Sequence, residues 1–230
     1  MSKKRKWKNY FQVYKSALNK LFISFVILGL FYSSCAQEVP RSSQLDLEPV
    51  VVNNKNEHKA YFASGCFWCV EAIYESLIGV NEVISGYSGG DTNNPTYGLV
   101  NTRMTGHAET IEVTYNPNEI TFSNLLDVYF GSQDIDQING QGPDSGPQYR
   151  SIIFYQNNIQ KELISTKIKE VESKTGLKVA AEVYPFRKFW IAENYHQNFK
   201  KNNPNHPYIK NVSDPRFKNF KFKFEDLIKD

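Results

Sequence analysis

Residues 59–79 read Lys59-Ala60-Tyr61-Phe62-Ala63-Ser64-Gly65-Cys66-Phe67-Trp68-Cys69-Val70-Glu71-Ala72-Ile73-Tyr74-Glu75-Ser76-Leu77-Ile78-Gly79. The first five residues form a short strand pattern. From Cys69 onward, Val70, Ile73, Tyr74 and Leu77 recur at helical spacing, which predicts a helix over 69–78 closed by Gly79. Cys66 therefore falls where a strand turns into a helix. Unpaired backbone N–H groups and the positive end of the helix dipole meet it there, and both favour a thiolate.

Working outward, residues 82–87 form a second strand pattern, followed by a loop over 88–97 rich in Gly and Asn. Residues 110–115 alternate, with Ile111, Val113 and Tyr115 on one face. Thr121 or Ser123 opens a helix to about residue 130. A long polar loop over 131–148 leads to an apolar strand at 151–155. Asn157 or Asn158 caps a helix to about residue 174, with Ile159, Leu163, Ile168 and Val171 read as its inner face and Gly176 closing it. Residues 179–183 give a last strand. This order predicts an α+β fold, a two-layer ferredoxin-like sandwich of mixed sheet and helices. An irregular C-terminal extension, Asn-, Lys- and Phe-rich from Asn202, is expected to wrap the surface. No internal repeat is present.

The chain has 230 residues and a net charge of +3. Seven of its 27 Lys and Arg, and none of its 24 Asp and Glu, lie in residues 1–35. The remainder carries 20 bases against 24 acids, a net −4, so a basic surface for nucleic acid is not indicated. The basic N-terminal segment precedes an apolar run, Leu21 to Tyr32, of signal-peptide length and shorter than a membrane span of about 20 residues. Residues 1–35 are expected to be a signal peptide of lipoprotein type, with Cys35 lipidated. Cleavage after Ala36 by an ordinary signal peptidase is the rival. Either reading exports the protein to the periplasmic face, and the first anchors it to a membrane by lipid alone. Residues 36–57 read as a flexible tether and 58–230 as the folded domain.

Export leaves Cys66 and Cys69 as the thiols of that domain. A disulfide closing so small a loop adds little entropic stability, so a pure staple is a poor use of the pair. A closed zinc site needs about four ligands, and His58, His107, His196 and His206 are far apart in sequence; no metal is expected. On residue type alone, Glu109 would be a solvated strand residue, Tyr97 and Tyr149 core or turn aromatics, and Asp144 an Asx turn. His107 and His196 read as structural.

The stretch Gly65-Cys66-Phe67-Trp68 resembles the signature of the A-type peptide methionine sulfoxide reductases. The resemblance runs from about Tyr61 to Phe199. It takes in Gly86-Tyr87-Ser88-Gly89-Gly90, Asn94-Pro95-Thr96-Tyr97, Thr105-Gly106-His107-Ala108-Glu109, Gln141-Gly142-Pro143-Asp144, Gln148-Tyr149-Arg150 and Ala192-Glu193-Asn194-Tyr195-His196-Gln197. It implies a thiol-dependent reduction of methionine S-sulfoxide, protein-bound or free. Cys66 would be the nucleophile and become a sulfenic acid. Glu109 would be the acid that protonates the departing oxygen, with Tyr97 and Tyr149 bonding that oxygen and Asp144 holding the substrate amide or an ordered water. Phe67 and Trp68 would wall a pocket for the S-methyl group, whose burial is worth on the order of 1 kcal/mol.

The chain departs from that pattern in three places. Cys69 stands where most members carry Gly, and no cysteine follows it. Cys69 is then the resolving thiol, and a thioredoxin-type dithiol, rather than any bound cofactor, would reopen the Cys66–Cys69 disulfide. Gln133-Asp134-Ile135 replaces His-Asp-Pro, and Pro147 replaces a Thr. A monomer is expected. The rival functions are an exported thioredoxin-like disulfide exchanger, which shares the dithiol, and a binding module for oxidised methionine without turnover.

Overall fold

A computed structural model describes residues 57–229. The signal segment 1–35 with Cys35, and the tether as far as residue 56, lie outside the described residues. Glu57, the last residue assigned to the tether, already takes part in the fold by accepting a hydrogen bond from Asn81.

Strand β1 (His58–Ala63) leads into helix α1 (Phe67–Glu75), then β2 (Val80–Ser88), a short helix α2 (Tyr97–Asn101) and β3 (Ala108–Tyr115). Helix α3 (Phe122–Gly131) precedes a small hairpin, β4 (Gly140–Gln141) with β5 (Asp144–Ser145), and then β6 (Ile152–Tyr155). Helix α4 (Asn158–Thr175) connects to β7 (Glu182–Pro185), β8 (Trp190–Ile191) and a short helix α5 (Phe199–Asn202). The six-stranded sheet runs β7-β6-β1-β3-β2-β8. Its pairs are antiparallel except β6 with β7. The four central strands thus keep the ferredoxin-like order within a two-layer α+β sandwich.

Period-two alternation decides what each strand presents to the helices. Ala60 and Phe62 of β1 and Ile111, Val113 and Tyr115 of β3 belong to the main core with α1 and α3. Tyr61 and Ala63 turn to the opposite face, where they meet Ala108, Ile152, Phe154 and Phe186. There Tyr61 and Lys59 also bond Glu112, at 2.7 and 2.5 Å. Glu109 shares the parity of Ile111, so the register itself aims its carboxyl at the helix layer.

Three expectations need correcting. Helix α1 begins at Phe67 rather than Cys69, because Cys66 acts as its N-cap and its carbonyl accepts from the N–H groups of Cys69 and Val70. In α4, Ile159 is 71% exposed and Leu163 38% exposed, whereas Ile164 is fully buried, with Ile168 and Val171 packed on the core. The inner stripe is 164, 168 and 171: Ile168 and Val171 lie on it as read, and Ile164 takes the place given to Ile159 and Leu163. The strand read at 179–183 is β7 and lies at 182–185, where it pairs in parallel with β6, and β8 follows it.

The C-terminal extension does more than cover the surface. It forms a π-helical turn, Ile209–Ser213, and helix α6 (Asp214–Lys223), whose Phe220 is fully buried. The Arg216 guanidinium donates to the Ser64 and Ser132 carbonyls and to the Ser64 hydroxyl, at 2.8–3.0 Å. Among the described residues, no helix is long and apolar enough to cross a membrane.

Candidate active site

The site forms around the start of α1. Gly65 sets the turn from β1: its φ is +77°, and an added Cβ would lie 2.6 Å from that of Gln141. Only glycine meets both conditions at once. Cys66 follows as the N-cap, leaving the N–H of Phe67 without a partner inside the helix. Glu109 supplies it, its Oε2 accepting that N–H at 2.9 Å.

Glu109 is 2% exposed. Burial drives its pKa up to about 8, with added repulsion from Asp144 and Cys69, and the Phe67 N–H only partly offsets this. The acid is therefore mostly protonated at neutral pH. Burial also pushes the Cys66 thiol up, as does its hydrogen bond with Cys69. The Cys69 thiol is shifted the other way, lowered by its hydrogen bond with Cys66 and by the positive charge of Arg216 against the opposing effect of burial. The helix terminus was expected to favour a Cys66 thiolate; in the unliganded enzyme, burial outweighs it. Both cysteines are free and buried.

Among the described residues, the predicted catalytic, resolving and substrate-binding side chains lie around this point. Tyr97 and Tyr149 both lie close enough to Glu109 and Cys66 for those charges to raise their phenols, after burial as the larger cause. Asp144 is also raised by burial and bonds Tyr208 at 2.5 Å. Phe67 is fully buried against Tyr87 and His196, while Trp68 is half-exposed and stacks flat on Phe199 at 3.6 Å.

Other functional residues escaped the sequence reading. His196 accepts from the Trp68 indole N–H at 3.0 Å and packs against Tyr97 at 4.6 Å. Burial keeps its pKa low, so it acts as a neutral acceptor that fixes the indole. Glu193 binds the Tyr97 N–H at 2.8 Å and the Tyr87 hydroxyl at 3.0 Å, tying the phenol-bearing helix α2 to β2. Tyr208 and Arg216 come from the extension. They join Cys69, Asp144, Gln133 and Gln141 around a cavity of about 320 Å³. The Ala-Glu-Asn-Tyr-His-Gln motif did contain Glu193 and His196. Tyr208 carried no motif and no periodicity that could have marked it. Among the described residues, no cluster of His, Cys, Asp or Glu has the geometry of a metal site.

A buried dithiol beside a protonated carboxyl and two phenols, in a ferredoxin-like sandwich, defines a cysteine-based oxidoreductase. The family model described as "Peptide methionine sulfoxide reductase" matches residues 58–227. The chain is 46% identical over 167 residues to the peptide methionine sulfoxide reductase MsrA of Sulfolobus acidocaldarius, covering 73% of this chain and 95% of that one. It is 45% identical over 162 residues to that of Nautilia profundicola, covering 70% and 93%. The crystal structure of Mxr1 from Saccharomyces cerevisiae in reduced form is similar at 31% identity with a TM-score of 0.61, covering 66% of this chain and 88% of that one. The protein belongs to the peptide methionine sulfoxide reductase family, A type, and is an oxidoreductase acting on peptide methionine (S)-S-oxide.

Proposed function

We propose that the enzyme reduces methionine S-sulfoxide, in proteins and as the free amino acid, through a Cys66 sulfenic acid that Cys69 resolves. The observation that carries the reading is Glu109, a buried carboxyl with a pKa of about 8 at the foot of the helix that bears Cys66. Sulfoxide reduction needs a proton on the oxygen as the sulfur is attacked, and an acid still protonated at neutral pH supplies it.

In this mechanism the substrate S-methyl group rests against Trp68 over Phe67, and Tyr97 and Tyr149 donate to the sulfoxide oxygen. Glu109 protonates that oxygen and, as the carboxylate so formed, takes up the Cys66 thiol proton, so that Cys66 attacks as a thiolate. The oxygen passes to Cys66 as a hydroxyl. Cys66 loses two electrons, the methionine sulfur gains them, and methionine leaves. Asp144 holds the substrate amide or an ordered water. Cys69 then displaces hydroxide from the sulfenic acid, and a thioredoxin-type dithiol reduces the resulting disulfide. No bound cofactor is required. We further propose that the protein is exported, tethered through residues 36–56, and anchored by lipid on Cys35. In that case Cys35→Ala moves it from the particulate to the soluble fraction, and unchanged partitioning would sink the anchor.

The test of the chemistry is a single turnover. Reduced enzyme is mixed with each diastereomer of a methionine sulfoxide peptide, without reductant, and methionine and free thiols are counted. About one methionine from the S form with loss of both thiols is expected. Methionine with one thiol retained would remove Cys69 from the cycle, and no methionine would favour disulfide exchange.

A further inference from the structure

The Cys69 sulfur lies 3.7 Å from the Tyr208 hydroxyl, and that hydroxyl donates to Asp144 Oδ2 at 2.5 Å. Tyr208 has one proton to give and already gives it to the carboxylate, so its oxygen faces Cys69 as an acceptor. A single concerted shift along this line, as sulfur and oxygen approach, would move a proton from sulfur to Asp144.

The backbone around Tyr208 is built for this contact. The π-helical turn covers Ile209–Ser213, immediately after Tyr208. In an α-helix, residues five apart stand about 140° apart around the axis. The wider π turn brings Tyr208 and Ser213 toward one face, and such turns recur at functional sites. The buried Ser213 hydroxyl makes no hydrogen bond of its own, yet it sits close enough to Cys69 to favour the thiolate. Arg216 follows, its guanidinium fixed by the Ser64 and Ser132 carbonyls.

We infer that Cys69, Tyr208 and Asp144 form a proton relay serving the resolving thiol, with Ser213 and Arg216 holding the thiolate left behind. The inference rests on the reading of Cys69 as that thiol. The charged and titratable groups facing Cys69 are Cys66 on its own helix, Glu109 from β3, Asp144 from β5, and Tyr208 and Arg216 from the extension. With Glu109 protonated, Arg216 is the dominant charge, and it favours the thiolate.

In the resolving step the Cys69 thiolate attacks the Cys66 sulfur. The S–S bond forms, the Cys66 S–O bond breaks, and hydroxide leaves. The proton first passed through Tyr208 to Asp144 returns to that hydroxide as water. Formally the Cys69 sulfur loses one electron and the sulfenic sulfur gains one, so that both end at −1 in the disulfide. Tyr208 and Asp144 thus act as positioning and proton-carrying groups for the second half of the cycle.

Tyr208→Phe keeps the ring and removes the relay. Quenched-flow mixing of the full-length reduced enzyme with a methionine S-sulfoxide peptide reads methionine release and thiol loss separately. At pH 6.5 the rate of thiol loss relative to methionine release should fall about tenfold, and its pH midpoint should rise by about one unit. Ser213→Ala should shift the midpoint the same way by less. An unchanged rate ratio and pH profile in Tyr208→Phe, beside a wild type that closes its disulfide, would overturn the relay alone. A wild type that keeps its second thiol would overturn both the relay and the resolving role of Cys69.

Discussion

Glu109 shows how a single residue acquires a role that its type does not suggest. Its β3 register turns it inward, and the unpaired Phe67 N–H gives it a partner. Burial then raises its pKa to about 8. The identity of the residue was legible only through the motif Thr-Gly-His-Ala-Glu, although its parity with Ile111 and Val113 already pointed inward. Its pKa was not legible, because burial depends on how the helix layer closes over the strand. Glu109→Gln should lower the rate of methionine formation by at least about a hundredfold, the usual contribution of a placed acid. The wild-type rate should fall above about pH 8, as Glu109 ionises, and stopped-flow rates from pH 6 to 9.5 check both. Stability should move the opposite way. A carboxyl raised by folding contributes stability that is complete below its unfolded pKa of about 4.3 and is lost as the pH rises through 8. The neutral Gln escapes that loss. Its melting temperature relative to wild type should therefore climb from pH 5 to 8.5, on the order of several degrees.

At the scale of elements, strands were easier to read than helix phases. Alternation in β3 has one period and one inner face, and Ile111, Val113 and Tyr115 fell on it as expected. Helix α4 offers five apolar residues over two possible stripes. Ile159 and Leu163 belong to the stripe that faces solvent, because α4 packs on the sheet and on α3 through Ile164, Ile168 and Val171. The Lys167–Asp127 ion pair at 2.7 Å marks the same contact between α4 and α3. Nothing local in the sequence separates the two stripes, since the decision comes from a neighbour far along the chain. Chemical denaturation distinguishes them. Ile164→Ala should cost about 2–5 kcal/mol, the range for emptying a packed core site. Ile159→Ala should stay within about 0.5 kcal/mol. A larger cost at Ile159 than at Ile164 would mean that the helix sits in the other phase.

The whole molecule closes its site with its last segment. Residues from Asn202 onward hold none of the short motifs read in the sequence and read as Asn-, Lys- and Phe-rich cover, yet the family model extends to residue 227, Tyr208 and Arg216 reach the dithiol and Phe220 enters the core. The signal was missing because these contacts join positions some 150 residues apart, Arg216 to Ser64 among them. Arg216 plays two physical parts that substitution can separate. Its fork ties α6 to the β1–α1 turn and to the end of α3 through three hydrogen bonds, and its charge favours the Cys69 thiolate. Lysine keeps the charge but not the planar fork. Arg216→Lys should therefore lower stability by about 1–3 kcal/mol, while the pH midpoint of Cys69 alkylation stays close to that of the wild type. Arg216→Met should lose comparable stability and also move the midpoint of thiol alkylation upward by about one unit, because both hydrogen bonds and charge are gone. Denaturation curves and iodoacetamide rates between pH 5 and 9 supply the two readouts. If the Lys and Met variants shift the midpoint equally, the fork rather than the charge poises Cys69, and the extension acts on the thiol through its geometry.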